Sequence, residues 1–255
     1  MKASGPFLLG IDNGTSFVKS VAFDLSGREI AIARRETPVI SLHPNWSEMD
    51  MRVSWSLCAE TIAEVVAAVG AETIAAVGIS GTACGVWAVD ADLQPIRNAI
   101  LWNDGRAAEI IAEWQSNGVT AHIFELSGNA LFPGYPVAAL RWLMAHEPQN
   151  FERIRWYLHH KDWLRLCLTG EIATEQADSS YFPGDIRGRG FSDELLDITG
   201  LSGFRDKLPE ILRSHDVAGT ITAPAAAQTG LRVGTPVIAG AVDVVVSTRG
   251  GGAFR

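Results

Sequence analysis

The stretch Phe7-Leu8-Leu9-Gly10-Ile11 runs into Asp12-Asn13-Gly14-Thr15, and Phe17 to Phe23 resumes the apolar pattern beyond that polar break. Two β-type runs joined by a short Asn-Gly turn read as an antiparallel pair. Ser26-Gly27 supplies a second turn, and the extended segment from about Glu29 to Thr37 gives a third strand. The chain is expected to open as a meander of strands.

Helical and extended patterns alternate after that. Asp50 is a candidate N-cap for a helix over Val53 to Val69, whose apolar Leu57, Ile62, Val65, Val66 and Val69 recur at helical spacing before Gly70. Ile74 to Ile79 and Gly85 to Val89 read as short buried strands, and Ile96 to Trp102 as extended chain. Helices are expected over Gly105 to Gln115, Val137 to His146 and Lys161 to Leu168, with Gly170 as a stop. The Gly-, Pro-, Asp- and Arg-rich stretch from Ser179 to Gly190 reads as a long loop. Val237 to Val246 reads as a final strand interrupted only by Asp243. A meander followed by alternating helices and strands points to the α/β class, with a mixed sheet.

Composition narrows the partners. A chain of 255 residues with 47% apolar and 20% charged residues is suited to burying one sizeable core. A net charge of −8 argues against a nucleic-acid surface, which needs clustered Lys and Arg. A phosphorylated ligand stays open, because backbone N–H groups and a metal can hold phosphate without net basicity. Cys58, Cys84 and Cys167 are widely spaced and form neither a disulfide framework nor a zinc pattern. Met1 to Phe7 lacks the apolar segment of a signal peptide, and no run approaches the ~18 residues of a membrane span. The expectation is a soluble, cytoplasmic protein with no membrane partner.

Four segments carry chemistry. In the first, Asp12-Asn13-Gly14-Thr15 with Lys19 and Asp24, a glycine turn can aim N–H groups at an anion, Thr15 adds a hydroxyl, and a carboxylate can hold Mg²⁺. The pattern is neither a Walker A loop nor a dinucleotide fingerprint, and an ordinary hairpin turn is the plain alternative. The second, Gly78-Ile79-Ser80-Gly81-Thr82-Ala83-Cys84-Gly85, links two strands through small residues that either admit a ligand or simply permit a tight connection. The third, Ala99-Ile100-Leu101-Trp102-Asn103-Asp104-Gly105-Arg106, could stack a sugar on Trp102 and bond its hydroxyls; alternatively Asp104 caps the next helix and Trp102 fills the core. The fourth, Gly234 to Asp243, puts a carboxylate in an apolar run, where it is costly unless functional. Such a group could accept a proton from an attacking hydroxyl, or it could cap a helix at the strand exit.

In this order and spacing the segments resemble the FGGY family of carbohydrate kinases, over nearly the whole chain. Further matches are Trp46-Ser47-Glu48-Met49-Asp50 with Trp55, and Lys161-Asp162-Trp163-Leu164 with Leu168-Thr169-Gly170 and Asp178. From Ser127 to Gly170 the chain looks most like the L-xylulose kinase group, with erythritol and xylulose kinases as neighbours. The resemblance implies an actin-like ATPase, ribonuclease-H-like fold over residues 1–255. It implies ATP and Mg²⁺ as cofactors, and transfer of the γ-phosphoryl group to a ketopentose, such as L-xylulose, or a small polyol. Asp243 then matches the catalytic base and Asp12 the Mg²⁺-linked aspartate. Asp12, Asn13, Gly14, Thr15 and Lys19 fall to the phosphates, and Thr82, Ala83, Cys84, Trp102, Asp104 and Arg106 to the sugar.

Two departures shape the expectation. Many relatives carry a larger polar trio at Thr82-Ala83-Cys84, which leaves the sugar open. The family also has a second lobe that binds adenosine, whereas this sequence ends at Arg255, with Arg249 to Arg255 following the family pattern only loosely. A truncated kinase of little turnover is therefore expected, partnered by its missing carboxy-terminal lobe or by a second copy in a homodimer. The rival readings are a sugar-binding remnant without catalysis, one half of a split kinase, and an actin- or chaperone-type ATPase lobe. The last of these lacks the Trp102 to Arg106 segment.

Overall fold

The computed structural model describes residues 5–253; Met1 to Ser4, Phe254 and Arg255 lie outside it, and with them the ends of the expected 1–255 domain and of both terminal readings. The predicted meander is present. Strands β1 (Phe7–Asn13), β2 (Phe17–Phe23) and β3 (Glu29–Glu36) pair antiparallel in sequence order. Strand β4 (Ile74–Gly81) then lies parallel to β1 on its other side. Strands β5 (Val217–Thr220), β6 (Pro236–Ile238) and β7 (Ala241–Val242) complete a seven-stranded mixed sheet in the order β5-β6-β4-β1-β2-β3, with β7 pairing the end of β4.

Helix α1 (Met51–Val69) covers one face of this sheet. Asp50 starts it, its carboxylate accepting the N–H groups of Arg52 at 2.8 Å and Val53 at 3.2 Å. The predicted periodicity buries Ile62, Val65, Val66 and Val69, whereas Leu57 is only partly covered. Two polar residues on the same stripe, Ser54 and Thr61, are buried because the sheet supplies partners: Ser20 Oγ lies 2.8 Å from Thr61 Oγ1, and Asn13 donates to Ser54. Helices α4 (His160–Thr169) and α6 (Ala223–Thr229) join α1 in this layer.

A second core sits beside the sheet. It gathers α2 (Ala108–Ser116) and α3 (Pro136–His146) around Tyr135, Trp142, Tyr157, Phe182 and Phe204. The helices expected from Gly105, Val137 and Lys161 are thus found with shifted ends. The long loop expected from Ser179 to Gly190 is corrected: helix α5 (Gln176–Tyr181) runs into it, and Gly184–Asp185 pairs with Gly190–Phe191 as a small hairpin. Glu175 makes that helix possible by accepting the N–H groups of Ala177 and Asp178. Of the stretch Ile96 to Trp102 only Ala99–Ile100 is strand. Among the described residues, no helix is long and apolar enough to cross a membrane.

Candidate active site

Strands β1, β4 and β7 end side by side. Asp12 pairs with Ser80 and Ser80 with Ala241; in the next row stand Asn13, Gly81 and Val242. Asp243 follows immediately. The expected continuous strand from Val237 to Val246 is corrected: β6 stops at Ile238, β7 is two residues long, and helix α7 (Asp243–Gly250) begins at Asp243 itself. Gly240 permits the break, with φ at 78° and the Ile79 carbonyl only 1.9 Å from where a Cβ would stand. The residue therefore sits at a strand-to-helix exit but does not cap the helix as the alternative reading expected: Val242 holds the cap position without a side-chain bond, and Asp243, the first helical residue, accepts the Val244 N–H on Oδ1 at 2.7 Å.

Burial pushes the Asp243 carboxyl above its usual range. The charges of Asp12 and Asp178 push the same way, against the Val244 hydrogen bond. A carboxylate so placed is a better proton acceptor than a free one.

A hollow of about 400 Å³ opens beside it. Its walls are Gly14 and Thr15 from the first turn, Thr82, Ala83 and Cys84 from the β4 exit, and Trp102, Phe132 and Tyr181. Cys84 and Gly85 both have positive φ, 66° and 73°, which turns the chain sharply around the cavity. Trp102 is 45% exposed rather than core-filling, and its indole Nε1 donates to Thr15 Oγ1 at 2.9 Å. That bond leaves the Thr15 hydroxyl free to donate. Gly14 spends its N–H on the Phe17 carbonyl at 2.9 Å, so it offers no backbone donor to a ligand.

A larger hollow of about 700 Å³ is the one that Asp12 lines. Gly10, Asp12, Lys19, Gly78 and Ser80 line it, with Arg249 of α7 at the rim. Lys19 faces Asp12 across the hairpin, Nζ 3.4 Å from Oδ2, while Ser80 Oγ stands 3.3 Å from Oδ1.

Three of the residues assigned to ligands by the sequence lie elsewhere. Asn13 is fully buried, and its side chain points into the layer under the sheet. Asp104 accepts the Ser47 N–H at 2.6 Å and does not cap α2; the residue before that helix, Ala107, makes no side-chain cap. Arg106 is buried against Asp104 at 2.8 Å and Glu48 at 2.7 Å, with its guanidinium 4.0 Å over the Trp46 ring. Arg97 joins the same Glu48. Asp104 and Arg106 therefore brace the loop that presents Trp102 and do not line either hollow.

Among known proteins, the N-terminal domain of the FGGY family of carbohydrate kinases matches residues 7–250. The chain belongs to this family. A probable L-xylulose kinase of Haemophilus influenzae is 36% identical over 244 residues, covering 94% of this chain and 50% of that protein. The erythritol kinase of Brucella abortus is 34% identical, covering 99% and 49%. Among solved structures, the xylulose kinase of Rhodospirillum rubrum superposes with a TM-score of 0.91 at 27% identity, over 98% of this chain and 51% of that one. The chain thus spans about half the length of the curated relatives it matches, and its fold is the actin-like ATPase fold of the sugar kinases.

Within this FGGY domain the sequence left two kinds of residue unassigned. Phe132, from a stretch noted only for its family likeness, and Tyr181, from the expected long loop, complete the smaller hollow. Beneath α4 lies a buried ionic cluster: Lys161 Nζ is 2.7 Å from Asp162 and from Asp178 and 3.8 Å from Glu175, while Arg165 reaches Asp162 at 3.0 Å. The matches at Lys161, Asp162 and Asp178 were the signal for this cluster; Glu175 gave none.

Proposed function

We propose that this chain is the sugar-binding lobe of a kinase that phosphorylates a small sugar or polyol, with a ketopentose such as L-xylulose as the preferred acceptor. The observation that carries this is the shared hollow: Asp243 and the Gly14–Thr15 turn line one cavity with Trp102 and the Thr82–Cys84 link. The cavity has the scale of a small-molecule site, and it joins aromatic surface to convergent polar groups.

ATP supplies the phosphoryl group in this chemistry, and Mg²⁺ offsets phosphate charge. Among the described residues, no group of three or more His, Cys, Asp or Glu side chains could hold a metal by itself. A single carboxylate that shares the ion with phosphate oxygens and water is the usual arrangement for Mg²⁺. Asp12 fits it, being about half exposed and fixed from both sides by Lys19 and Ser80. Lys19 is the cationic donor beside it for phosphate, and the Thr15 hydroxyl, on the smaller hollow, is a neutral donor.

Asp243 orients the sugar hydroxyl and accepts its proton as the oxygen bonds to phosphorus and the bond to the departing ADP oxygen breaks. General-base assistance of this kind is typically worth on the order of 10²–10⁴ in rate. Trp102 offers a ring face to the carbon side of the sugar, and Thr82 a hydroxyl. The remainder of catalysis in phosphoryl transfer is positioning and electrostatics.

A second reading, a sugar-binding module without turnover, is favoured by the separation of Asp12 and Lys19, which line the larger hollow, from the smaller hollow that holds Trp102, Thr82 and Asp243. Calorimetry with L-xylulose, D-xylulose, erythritol and ribitol, with and without Mg-ATP, tests both. Sugar binding supports the site, and phosphate transfer by this chain at the level of a full-length relative would rule out the module. Failure of all four ligands to bind would refute the sugar site.

A further inference from the structure

One buried imidazole touches two parts of the site. His160, the first residue of α4, is completely enclosed. Its Nδ1 lies 3.1 Å from Thr82 Oγ1, in the wall of the smaller hollow. Its Nε2 lies 2.6 Å from Asn13 Nδ2 and 3.0 Å from Ser54 Oγ. Trp87 stacks on the ring at 3.9 Å and 13°. No charged side chain is among these contacts, and burial pushes the imidazole pKa down to about 3, so the ring is neutral.

A neutral imidazole has one N–H donor and one acceptor nitrogen. Asn13 decides which is which. Its amide nitrogen reaches both Ser54 Oγ, at 3.2 Å, and His160 Nε2, whereas its Oδ1 has no partner. Reversing the amide would place two N–H donors where the lone oxygen now stands and leave both buried without an acceptor, the costlier arrangement. Asn13 Nδ2 therefore donates to Nε2, and the ring proton sits on Nδ1, where it donates to Thr82 Oγ1.

We infer that His160 is a positioning residue that fixes the Thr82 hydroxyl as an acceptor on its buried side, leaving its O–H to donate into the hollow toward an acceptor oxygen of the sugar. With the opposite tautomer Thr82 would spend its proton on Nδ1 and present only lone pairs to the cavity. An acceptor-only group, such as the carbonyl oxygen of an open-chain keto sugar, can be received by the first arrangement and not by the second. The same ring ties the sugar wall to the residue preceding the Gly14–Thr15 turn. This inference rests on the sugar-site reading above for its ligand, but the hydrogen-bond order stands on the buried contacts alone.

The test uses the intact chain with ¹⁵N-labelled histidine. The expected ¹⁵N spectrum has His160 protonated at Nδ1 and bare at Nε2; an Nε2-protonated ring overturns the inference. Calorimetry with D-xylulose supplies the second arm. Thr82→Val is expected to weaken binding about tenfold, as loss of one hydrogen bond does, while Thr82→Ser retains it. Unchanged affinity in Thr82→Val overturns the donor role even if the tautomer is as stated. A wild-type chain with the Nδ1 proton in place that binds no sugar overturns the donor role together with the sugar-site reading, and leaves the buried hydrogen-bond order standing.

Discussion

Trp102 and Thr15, far apart in the sequence, meet through an indole N–H donated to a threonine hydroxyl at 2.9 Å. One belongs to the aromatic wall of the hollow and the other to the first turn of the sheet. Trp102 is held out from a rigid base, because Asp104, Arg106 and Glu48 beneath it are all buried and mutually paired. The bond therefore connects the place where a sugar would stack with the place where phosphate would lie.

Trp102→Phe separates the two roles. The phenyl ring keeps an aromatic face but cannot reach Thr15. Sugar affinity measured by calorimetry is expected to fall by less than about threefold in Trp102→Phe and by about tenfold or more in Trp102→Ala, in line with the larger loss of apolar contact. Equal losses in the two variants would show that the ring face contributes nothing.

Asp243, the proposed base, is expected to lower stability. Its folded-state pKa is raised, first by burial and then by Asp12 and Asp178, so the native state binds this proton more tightly than the unfolded chain does. Stability from this group is then greatest below the unfolded carboxylate pKa and is lost as pH rises through the folded value. At neutral pH Asp243→Asn should melt at the same temperature as wild type or slightly above. In an assembly that carries the nucleotide-binding lobe, the same variant should lose about 10²–10⁴ in turnover. Wild-type turnover should fall as the pH drops through the raised pKa. A clear drop in melting temperature for Asp243→Asn at neutral pH would contradict a destabilising carboxylate.

How much of this could be read from the sequence depends on where the signal was local. The meander was legible because Asn-Gly and Ser-Gly turns punctuate runs of apolar residues, and α1 because Asp50 and a helical stripe agree. The last apolar run misled for a physical reason. Val242 and Val244 to Val246 are β-branched, and composition favours a strand, yet Gly240 breaks the extended path and α7 carries Val244, Val245 and Val246 on its exposed surface. Propensity lost there to the geometry of the sheet edge. The ligand roles given to Asp104 and Arg106 misplaced real importance: a sequence shows that charges cluster, but not which way they point. His160 offered no signal at all, since a lone histidine at a helix start gains meaning only from Thr82, Asn13 and Ser54 across three other segments.

Gly240→Ala tests the strand-to-helix exit. A methyl group would meet the Ile79 carbonyl at 1.9 Å, and the backbone sits at φ 78°, where side chains are strained. The left-handed conformation alone costs about 1–3 kcal/mol, and the clash adds to it. Urea unfolding should show a loss of at least that order. Because β7 and Asp243 must move to relieve the contact, sugar affinity should fall with it. By contrast, Gly27→Ala, at an exposed turn with φ 83° and no atom near the added methyl, should cost stability without touching sugar binding.

Lys161 tests whether the ionic cluster under α4 holds the site together. Its ammonium is surrounded by Asp162, Asp178 and Glu175, all buried, with Arg165 as the other strong cation of the group. Burial alone would lower the lysine pKa, but these carboxylates reverse the direction and raise it, so the charged form is the native one. Lys161→Met removes a positive charge and strips Asp178 of the ammonium 2.7 Å from its carboxylate. Breaking a buried pair in this way typically costs about 3–5 kcal/mol, more than the pair itself contributes. Adding Asp178→Asn to Lys161→Met should recover part of that loss, because the stranded charge is gone; a double variant no more stable than Lys161→Met would place the cost elsewhere. The charge of Asp178 also raises the Asp243 pKa. Asp178→Asn alone should therefore shift the acid limb of the turnover profile to lower pH in the two-lobed assembly. An unshifted limb, in a variant that still binds sugar, would show that the two carboxylates do not sense each other.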